Sequence, residues 1–194
     1  MARDSAGAYS FQVALEDEQA TRRLMADIAG LIEPGDLITL SGDLGAGKTA
    51  FARAFIRHVA DDEAIEVPSP TFTLMQSYEL PRFPIVHADL YRLGSPGELS
   101  ELGFEDVPEA AVTLLEWPDR AGGQLPPDRL DVALTLSPPQ GETFRYAQIT
   151  GYGKFASRAE RIAPIRDFLN DAGCGQAARR RIPGAASKSS SATR

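Results

Sequence analysis

The chain has very little cysteine: among its 194 residues, Cys174 is the only one. A single cysteine excludes an internal disulfide and predicts an inert thiol, which suits a reducing cytoplasm. Long apolar runs are also missing, since no stretch reaches the roughly 18 apolar residues that span a bilayer. The first residues do not show the basic and then apolar segments of a secretory signal. We therefore expect a cytoplasmic protein with no membrane partner.

Positive charge is scarce and unevenly placed. The chain has 20 Lys and Arg against 27 Asp and Glu, which gives a net charge of −7. Residues 175–194 hold five of the basic residues and no acidic one, so the part before them is strongly acidic. Because phosphate neutralisation dominates the affinity of proteins for nucleic acids, such an acidic body is a poor RNA binder by itself. The composition therefore predicts that any RNA is held through a partner protein.

The sequence does contain one strong motif. Residues 42–49 read Gly-Asp-Leu-Gly-Ala-Gly-Lys-Thr, which is the pattern of a phosphate-binding loop. The apolar run 37–41 before the loop predicts a buried strand. Phe51, Phe55 and Val59 recur after it at helical spacing. Strand, glycine-rich loop and helix form the context that such a loop requires, so we expect nucleotide binding.

The residue types of the loop each have a physical role in holding a polyphosphate. Gly45 and Gly47 lack side chains, so backbone N–H groups can point inward as an anion-binding nest. A helix that begins near Lys48 adds the partial positive charge of its N-terminus. We expect the Lys48 ammonium to reach the β- and γ-phosphates and the Thr49 hydroxyl to bind Mg²⁺.

Periodic patterns around the motif predict an α/β domain. Residues 16–32 form an amphipathic helical pattern that Pro34 and Gly35 end. Further strands are predicted over 72–80, 85–89 and 111–116, and an antiparallel hairpin over 130–136 and 143–151.

Two predicted strands end in a carboxylate, Asp89 and Glu116. Ligands of open parallel sheets bind outside the carboxyl ends of the strands. For phosphoryl transfer to water, one acid could hold Mg²⁺ while the other orients the attacking water. The alternative is that each is an ordinary charged residue where a strand meets a loop. We interpret His87, two residues before Asp89, as a hydrogen-bonded core histidine.

Residues 68–73 follow the loop helix and contain two prolines, which exclude regular structure there. A γ-phosphate with Mg²⁺ can order such a segment, and hydrolysis can release it. Residues 68–73, which include Ser69, Pro70, Thr71 and Phe72, are therefore predicted to form a switch. A stiff connector is the alternative.

Several motifs in a fixed order make the chain resemble a known family. They are residues 17–21 (Asp-Glu-Gln-Ala-Thr), the phosphate loop, residues 69–72 (Ser-Pro-Thr-Phe), residues 87–93 (His-Ala-Asp-Leu-Tyr-Arg-Leu) and residues 116–118 (Glu-Trp-Pro). The chain resembles the TsaE family, the small bacterial ATPases that support threonylcarbamoylation of tRNA adenosine. The likeness covers about residues 10–153.

The resemblance implies a fold, an activity and partners. The fold is an α/β, three-layer P-loop NTPase domain with a mixed sheet and a C-terminal antiparallel hairpin. The implied protein binds ATP and Mg²⁺ and hydrolyses ATP slowly, with useful activity only inside a complex. Its implied partners are the tRNA-modifying transferase subunit TsaD and that subunit's dimer partner TsaB. ATP hydrolysis then resets the complex, whereas the transferase itself moves the group.

The resemblance also assigns roles to residues. The implied catalytic residues are Lys48, Asp89 and Glu116, with Mg²⁺ held by Thr49 and Glu116. The implied nucleotide-binding residues are Asp43, Leu44, Gly45, Ala46, Gly47, Lys48, Thr49 and Ala50, together with Thr21 near the adenine and Arg145 of the hairpin. Ser69 to Phe72 correspond to the switch.

The tail departs from the family pattern. Residues 165–187 resemble the opening of an aminoglycoside-phosphotransferase-like sugar kinase, which some bacteria carry fused behind this ATPase. A truncated or decayed fusion is one interpretation, and a basic tail that touches tRNA is the other. We divide the chain into an ATPase domain (1–156), a short helical extension (157–174) and a basic, disordered tail (175–194).

Two other functions fit the phosphate loop. One is a P-loop kinase for a small metabolite, for which Arg120 and Arg129 are available as lid arginines although no convincing lid helix is predicted. The other is a nucleotide-gated binding module without meaningful turnover, because the carboxylates suit Mg²⁺ binding as well as hydrolysis.

Overall fold

The computed structural model describes residues 2–3, 8–101, 103–141 and 143–162. Within these ranges each helix is too short or too polar to cross a bilayer. The strands are β1 (Ala2–Arg3), β2 (Tyr9–Leu15), β3 (Leu37–Ser41), β4 (Met75–Tyr78), β5 (Ile85–Asp89), β6 (Val112–Glu116), β7 (Arg129–Leu136) and β8 (Arg145–Tyr152). The α-helices are α1 (Glu18–Leu31), α2 (Lys48–Ala60), α3 (Glu98–Glu101) and α4 (Phe155–Ile162).

The described residues form one eight-stranded mixed sheet with the order β1-β2-β8-β7-β3-β6-β5-β4. Strands β5, β6, β3 and β7 run parallel to one another. Strand β4 pairs antiparallel with β5, β8 with β7, and β2 with β8. The predicted hairpin of β7 and β8 is confirmed. It does not end the sheet, because β8 also pairs with β2 from the start of the chain.

Alternating side chains bury both faces of the central strands. Ile38 and Leu114 belong to a large hydrophobic cluster with α1, α2 and α4. Their chain neighbours Leu37 and Leu115 belong to a second cluster with Leu99 of α3. Parallel strands buried on both faces take such continuous apolar runs. The three-layer α/β architecture predicted from the family resemblance is therefore confirmed.

Strand β4 is shorter than the predicted strand over 72–80. The Leu74 N–H donates to the Pro70 carbonyl at 2.6 Å, and Leu74 adopts a left-handed φ of 62°. This turn keeps Thr71 and Phe72 out of the sheet. The segment after Leu74 rejoins the sheet where the Asp89 N–H donates to the Leu74 carbonyl.

Strand β2 and helix α4 are absent from the sequence-based expectations. Strand β2 shows alternating burial, with Tyr9, Phe11 and Val13 facing the core. Helix α4 buries Phe155 and Ala159 against the same core. Both have recognisable period-2 or helical spacing in the sequence.

Helix α4 crosses the predicted boundary between residues 156 and 157. Its Arg158 reaches buried Asp36, with Nη1 at 2.5 Å from Oδ2, and also pairs with Glu33. Lys154 Nζ lies 2.9 Å from the other Asp36 oxygen. The helical pattern predicted from Pro164, the predicted disordered tail and Cys174 lie outside the described residues, so the proposed domain division stays a prediction.

Candidate functional site

The phosphate loop connects β3 to α2, and its glycines have conformations and positions that a side chain would disturb. Gly42 has φ 133°, and a Cβ there would lie 2.2 Å from the Leu134 carbonyl oxygen of β7. Gly47 has φ 103°, and its Cβ would come within 3.2 Å of Arg145 Nε. Left-handed backbone at both positions suits glycine. The loop is therefore packed closely against the β7–β8 hairpin.

Lys48 begins α2 and is buried beneath the loop, with 5% of its surface exposed. Its ammonium donates to the Gly42 carbonyl at 2.7 Å and to the Asp43 carbonyl at 2.9 Å. Nζ also lies 3.7 Å from the centroid of the Trp117 ring. Burial lowers the pKa of Lys48, and the negative charges of Glu116, Asp89 and Asp43 partly oppose this. The contacts described for this ammonium are with carbonyl oxygens and a ring, so the cation is available to a polyphosphate.

Thr49 and Glu116 meet across the first turn of α2. The Thr49 hydroxyl donates to Glu116 Oε2 at 3.0 Å. The other carboxylate oxygen, Oε1, accepts from His87 Nε2 at 2.9 Å. Glu116 is 1% exposed and His87 is fully buried, so this chain of contacts is shielded from water. The predicted metal-binding pair thus lies together, and the predicted hydrogen-bonded core histidine is confirmed with Glu116 as its partner.

Asp89 ends β5 directly opposite Glu116 of β6. Its Oδ2 accepts from the Thr71 hydroxyl at 2.7 Å, and its Oδ1 accepts from the Tyr91 backbone N–H at 2.9 Å. Thr71 Oγ1 also lies 2.7 Å from Ser69 Oγ. The predicted switch segment is therefore joined to the predicted catalytic carboxylate by the hydrogen bond from Thr71.

These groups line one cavity of about 310 Å³. Its lining residues include Leu44, Gly45, Gly47, Lys48, Thr49, Ala50, Ser69, Thr71, Asp89, Tyr91, Glu116 and Trp117. Leu44, Phe72 and Tyr91 are exposed at 76%, 79% and 41%. Phe72 lies outside this lining and stacks under the Arg92 guanidinium at 4.2 Å.

A second cavity of about 360 Å³ adjoins the first and shares Gly47 and Ala50 with it. Thr21 and Arg145 both line it. Arg145 is fixed by two carbonyls, with Nε donating to Ala46 at 2.9 Å and Nη1 to Thr143 at 2.7 Å. The two residues assigned to the nucleotide by resemblance alone thus lie together beside the phosphate loop, although they are 124 positions apart in sequence.

The two arginines considered for a kinase lid do not converge on this site. Arg129 starts β7 next to the first residues of β3, at the sheet edge opposite the phosphate loop. It is bound to Asp131 and stacks on Tyr152. Arg120 is exposed in the short 3-10 helix Pro118–Ala121.

Sequence reasoning missed the role of Tyr91 and the contact between Lys48 and Trp117. The Tyr91 N–H and the Asp89 carboxylate are two residues apart, which is the spacing of an Asx turn and a signal that the sequence does contain. Trp117, whose ring packs on Lys48, adopts a left-handed φ of 61°. Nothing in the local sequence indicates that conformation.

The donor chemistry around Thr49 fits Mg²⁺. A hydroxyl and a carboxylate are hard oxygen donors, and Mg²⁺ is commonly held by one or two such side chains together with phosphates and water. Among the described residues no group of three or more His, Cys, Asp or Glu is arranged around a metal position. A site of this kind therefore depends on oxygens that a phosphate ligand would supply.

Comparisons with known proteins agree with this architecture. A family model described as threonylcarbamoyl adenosine biosynthesis protein TsaE matches residues 15–143. The tRNA threonylcarbamoyladenosine biosynthesis protein TsaE of Rickettsia felis is 42% identical over 122 residues, which cover 63% of this chain and 71% of that protein. The protein of the same name from Bacillus subtilis is 36% identical over 120 residues, which cover 61% of this chain and 72% of that protein.

A solved structure gives the same result for the fold. The crystal structure of Bacillus subtilis YdiB matches with a TM-score of 0.64 and 28% sequence identity, covering 81% of this chain and 97% of that one. The chain therefore belongs to the TsaE family of threonylcarbamoyl adenosine biosynthesis proteins.

Proposed function

We propose that this chain is an ATP-binding and ATP-hydrolysing accessory subunit that is needed to form threonylcarbamoyladenosine in tRNA. Family membership supports the pathway. The observation that carries the hydrolytic role is the link between Thr49 of the phosphate loop and Glu116, beside Asp89 at the same edge of the sheet. Loop, metal donors and a second carboxylate are the parts that phosphoryl transfer to water requires.

Lys48 and the loop backbone bind the nucleotide in this proposal. When nucleotide binds, the Lys48 ammonium gives up its hydrogen bonds to the Gly42 and Asp43 carbonyls. It then donates charge-assisted hydrogen bonds to β- and γ-phosphate oxygens. The base and ribose occupy the neighbouring cavity between Thr21 and Arg145. Two adjoining cavities that share the loop glycine Gly47 support this placement.

Thr49 and Glu116 hold Mg²⁺, and Asp89 orients the attacking water. When bound, Mg²⁺ neutralises the charge that develops on the transferred phosphoryl group. A carboxylate has about four acceptor positions, so Asp89 can accept from water while it keeps the hydrogen bonds from Thr71 and Tyr91. Water adds to the γ-phosphorus, the bond to the β–γ bridging oxygen breaks, and ADP leaves with the electron pair.

The hydrogen bond from Thr71 to Asp89 supports the proposed switch role of residues 69–72. A γ-phosphate beside Asp89 changes the groups that Thr71 contacts, and the release of phosphate restores the hydrogen bond to Asp89. Exposed Phe72 moves with this segment. The state of the nucleotide is thereby transmitted to the surface.

The partners in this proposal are the transferase subunit TsaD and its dimer partner TsaB, in the cytoplasm. tRNA is reached only through their complex, because the chain outside residues 175–194 is too acidic to neutralise phosphates by itself. ATP hydrolysis resets the complex between turnovers.

The test is threonylcarbamoyladenosine formation by purified TsaD and TsaB over many turnovers, with and without this chain. We expect dependence on the wild-type chain. Lys48→Ala should abolish it because a charged phosphate contact in a partly desolvated site is lost. Formation that proceeds equally well without the chain would refute the proposal.

Two further variants distinguish a role for ATP hydrolysis from nucleotide-gated binding without hydrolysis. Asp89→Asn and Glu116→Gln should still bind ATP but lose multiple-turnover tRNA modification. If both variants bind nucleotide and support modification as well as wild type, the chain is a nucleotide-gated binding module and hydrolysis has no role. A screen for a phosphorylated small molecule covers the metabolite-kinase alternative.

A further inference from the structure

His87 is the polar core residue that makes contact with the proposed metal-binding carboxylate. It lies in the middle of β5, is fully buried, and has Nε2 at 2.9 Å from Glu116 Oε1. Because an ionised carboxylate only accepts, the proton of this bond is on Nε2. His87 therefore donates to Glu116 from within the core.

The imidazole has no second hydrogen bond among the described residues. Its Nδ1 is buried and has no hydrogen-bond partner there. Burying a polar atom without a partner costs free energy. A leucine at this position would fill similar space without that cost, so packing alone does not account for a histidine. The contact with Glu116 is what the imidazole adds.

The contact also explains how Glu116 is oriented. The two carboxylate oxygens are divided between two donors, since Oε1 accepts from His87 and Oε2 accepts from the Thr49 hydroxyl. Among the described residues these are the side-chain hydrogen bonds that Glu116 makes. Without the His87 donor, one buried oxygen would be unsatisfied and the carboxylate could rotate away from Thr49.

We infer that His87 is a positioning residue, which holds the Glu116 carboxylate so that Oε2 remains beside Thr49 for bound Mg²⁺. This inference rests on the proposed function, because it concerns the proposed magnesium site. Groups that orient metal-binding side chains in this way typically contribute about 10–100-fold to metal affinity or activity. His87 acts through Glu116 and touches neither nucleotide nor metal.

The experiment measures the binding of the non-hydrolysable analogue AMP-PNP across a MgCl₂ series and in EDTA. His87→Phe keeps a flat ring but lacks the donor. For this variant we expect the Mg²⁺ concentration that gives half of the maximal increase in AMP-PNP affinity to rise at least tenfold. Affinity in EDTA should stay near that of wild type. His87→Gln, whose amide nitrogen lies near the position of Nε2, should restore most of the Mg²⁺ dependence.

Thr39→Val is the matched control. Thr39 is also buried in the central sheet, and its hydroxyl bonds Asp131 at 2.6 Å, away from Glu116. It should lower the thermal midpoint by an amount similar to His87→Phe but leave the Mg²⁺ dependence unchanged. If His87→Phe does not fold, His87→Asn replaces it, because the shorter amide stops short of Oε1.

A double variant tests whether His87 acts through Glu116. In a Glu116→Gln background, His87→Phe should add no further loss of Mg²⁺ affinity. An unchanged Mg²⁺ midpoint in His87→Phe, an equal loss of affinity in EDTA, or additive effects in the double variant would each overturn the inference while leaving the proposed function intact. Absence of Mg²⁺-dependent AMP-PNP binding by wild type would instead overturn the proposed function, and the inference with it.

Discussion

Replacing Arg158 tests whether α4 is part of the folded domain or an appendage. Arg158→Met removes a guanidinium that pairs with Asp36 Oδ2 at 2.5 Å and with Glu33. The Asp36 side chain has no exposed surface and the Arg158 side chain is 16% exposed, so this is a largely buried ion pair. Methionine keeps an apolar stem where the Arg158 guanidinium now packs over the Phe155 ring, at 5.0 Å.

The size of the effect follows from what Asp36 retains. Removing one partner of a buried pair costs about 3–5 kcal/mol. Asp36 keeps the Glu33 backbone N–H at 2.8 Å and Lys154 Nζ at 2.9 Å, although Lys154 is at ion-pair distance without hydrogen-bond alignment. We therefore expect a loss of about 2–3 kcal/mol in the free energy of unfolding. For a chain of this size, such a loss of free energy lowers the midpoint of thermal unfolding by about 4–12 °C.

Urea unfolding followed by far-UV circular dichroism measures the loss. Arg161→Met, at an exposed position of the same helix, is the matched control and should change stability by less than about 0.5 kcal/mol. Replacing Asp36 by leucine together with Arg158→Met should recover part of the loss, since the buried carboxylate that has lost its arginine partner is then gone. If Arg158→Met unfolds like the control, the network does not hold α4 to the domain and the reasoning fails.

Two further perturbations concern the pH dependence and the phosphate loop. Burial raises the pKa of Asp27, so the folded state holds this proton more tightly than the unfolded chain, and stability is lost as pH rises through the folded-state pKa. Asp27→Asn should therefore be more stable than wild type at pH 7 and equal to it near pH 3. Urea titrations at both pH values measure this difference. Gly47→Ala places a side chain at a residue with φ 103° and 3.2 Å from Arg145 Nε. Nucleotide affinity, measured by calorimetry, should fall at least tenfold, while the circular dichroism spectrum should not change. Wild-type affinity in that variant would contradict the packing of the loop against the hairpin.

The parts of the fold that could be predicted from sequence are those that local chemistry decides. The predicted strands over 37–41 and 85–89 have the bounds of β3 and β5, because each is a short apolar run between turn-forming residues. The insertion of β7 and β8 between β3 and β2 could not be predicted. It depends on which edge of the parallel core the hairpin joins, and no residue in the hairpin encodes that choice.

The candidate site divides in the same way. The phosphate loop, Asp89 and Glu116 are recognisable because their residue types and spacing are tied to chemistry that acts at strand ends. The hydrogen bond from His87 to Glu116 was not predictable, because it depends on the register that aligns Asp89 with Glu116 across β5 and β6. The contact of Arg145 with the Ala46 carbonyl likewise depends on where β8 lies.

The pairing of β2 with β8 has a consequence for synthesis on the ribosome. Ser10 lies opposite Thr150, so strand β2 waits for this partner while the 140 positions that separate them are translated. At about 5–20 residues per second, those 140 positions take roughly 7–28 s. During that interval the hydrogen-bonding edge of the nascent strand is open to wrong partners, and the Arg145 side chain that steadies the loop has not yet emerged. Chaperone demand should therefore depend on how fast the residues between β2 and β8 are translated.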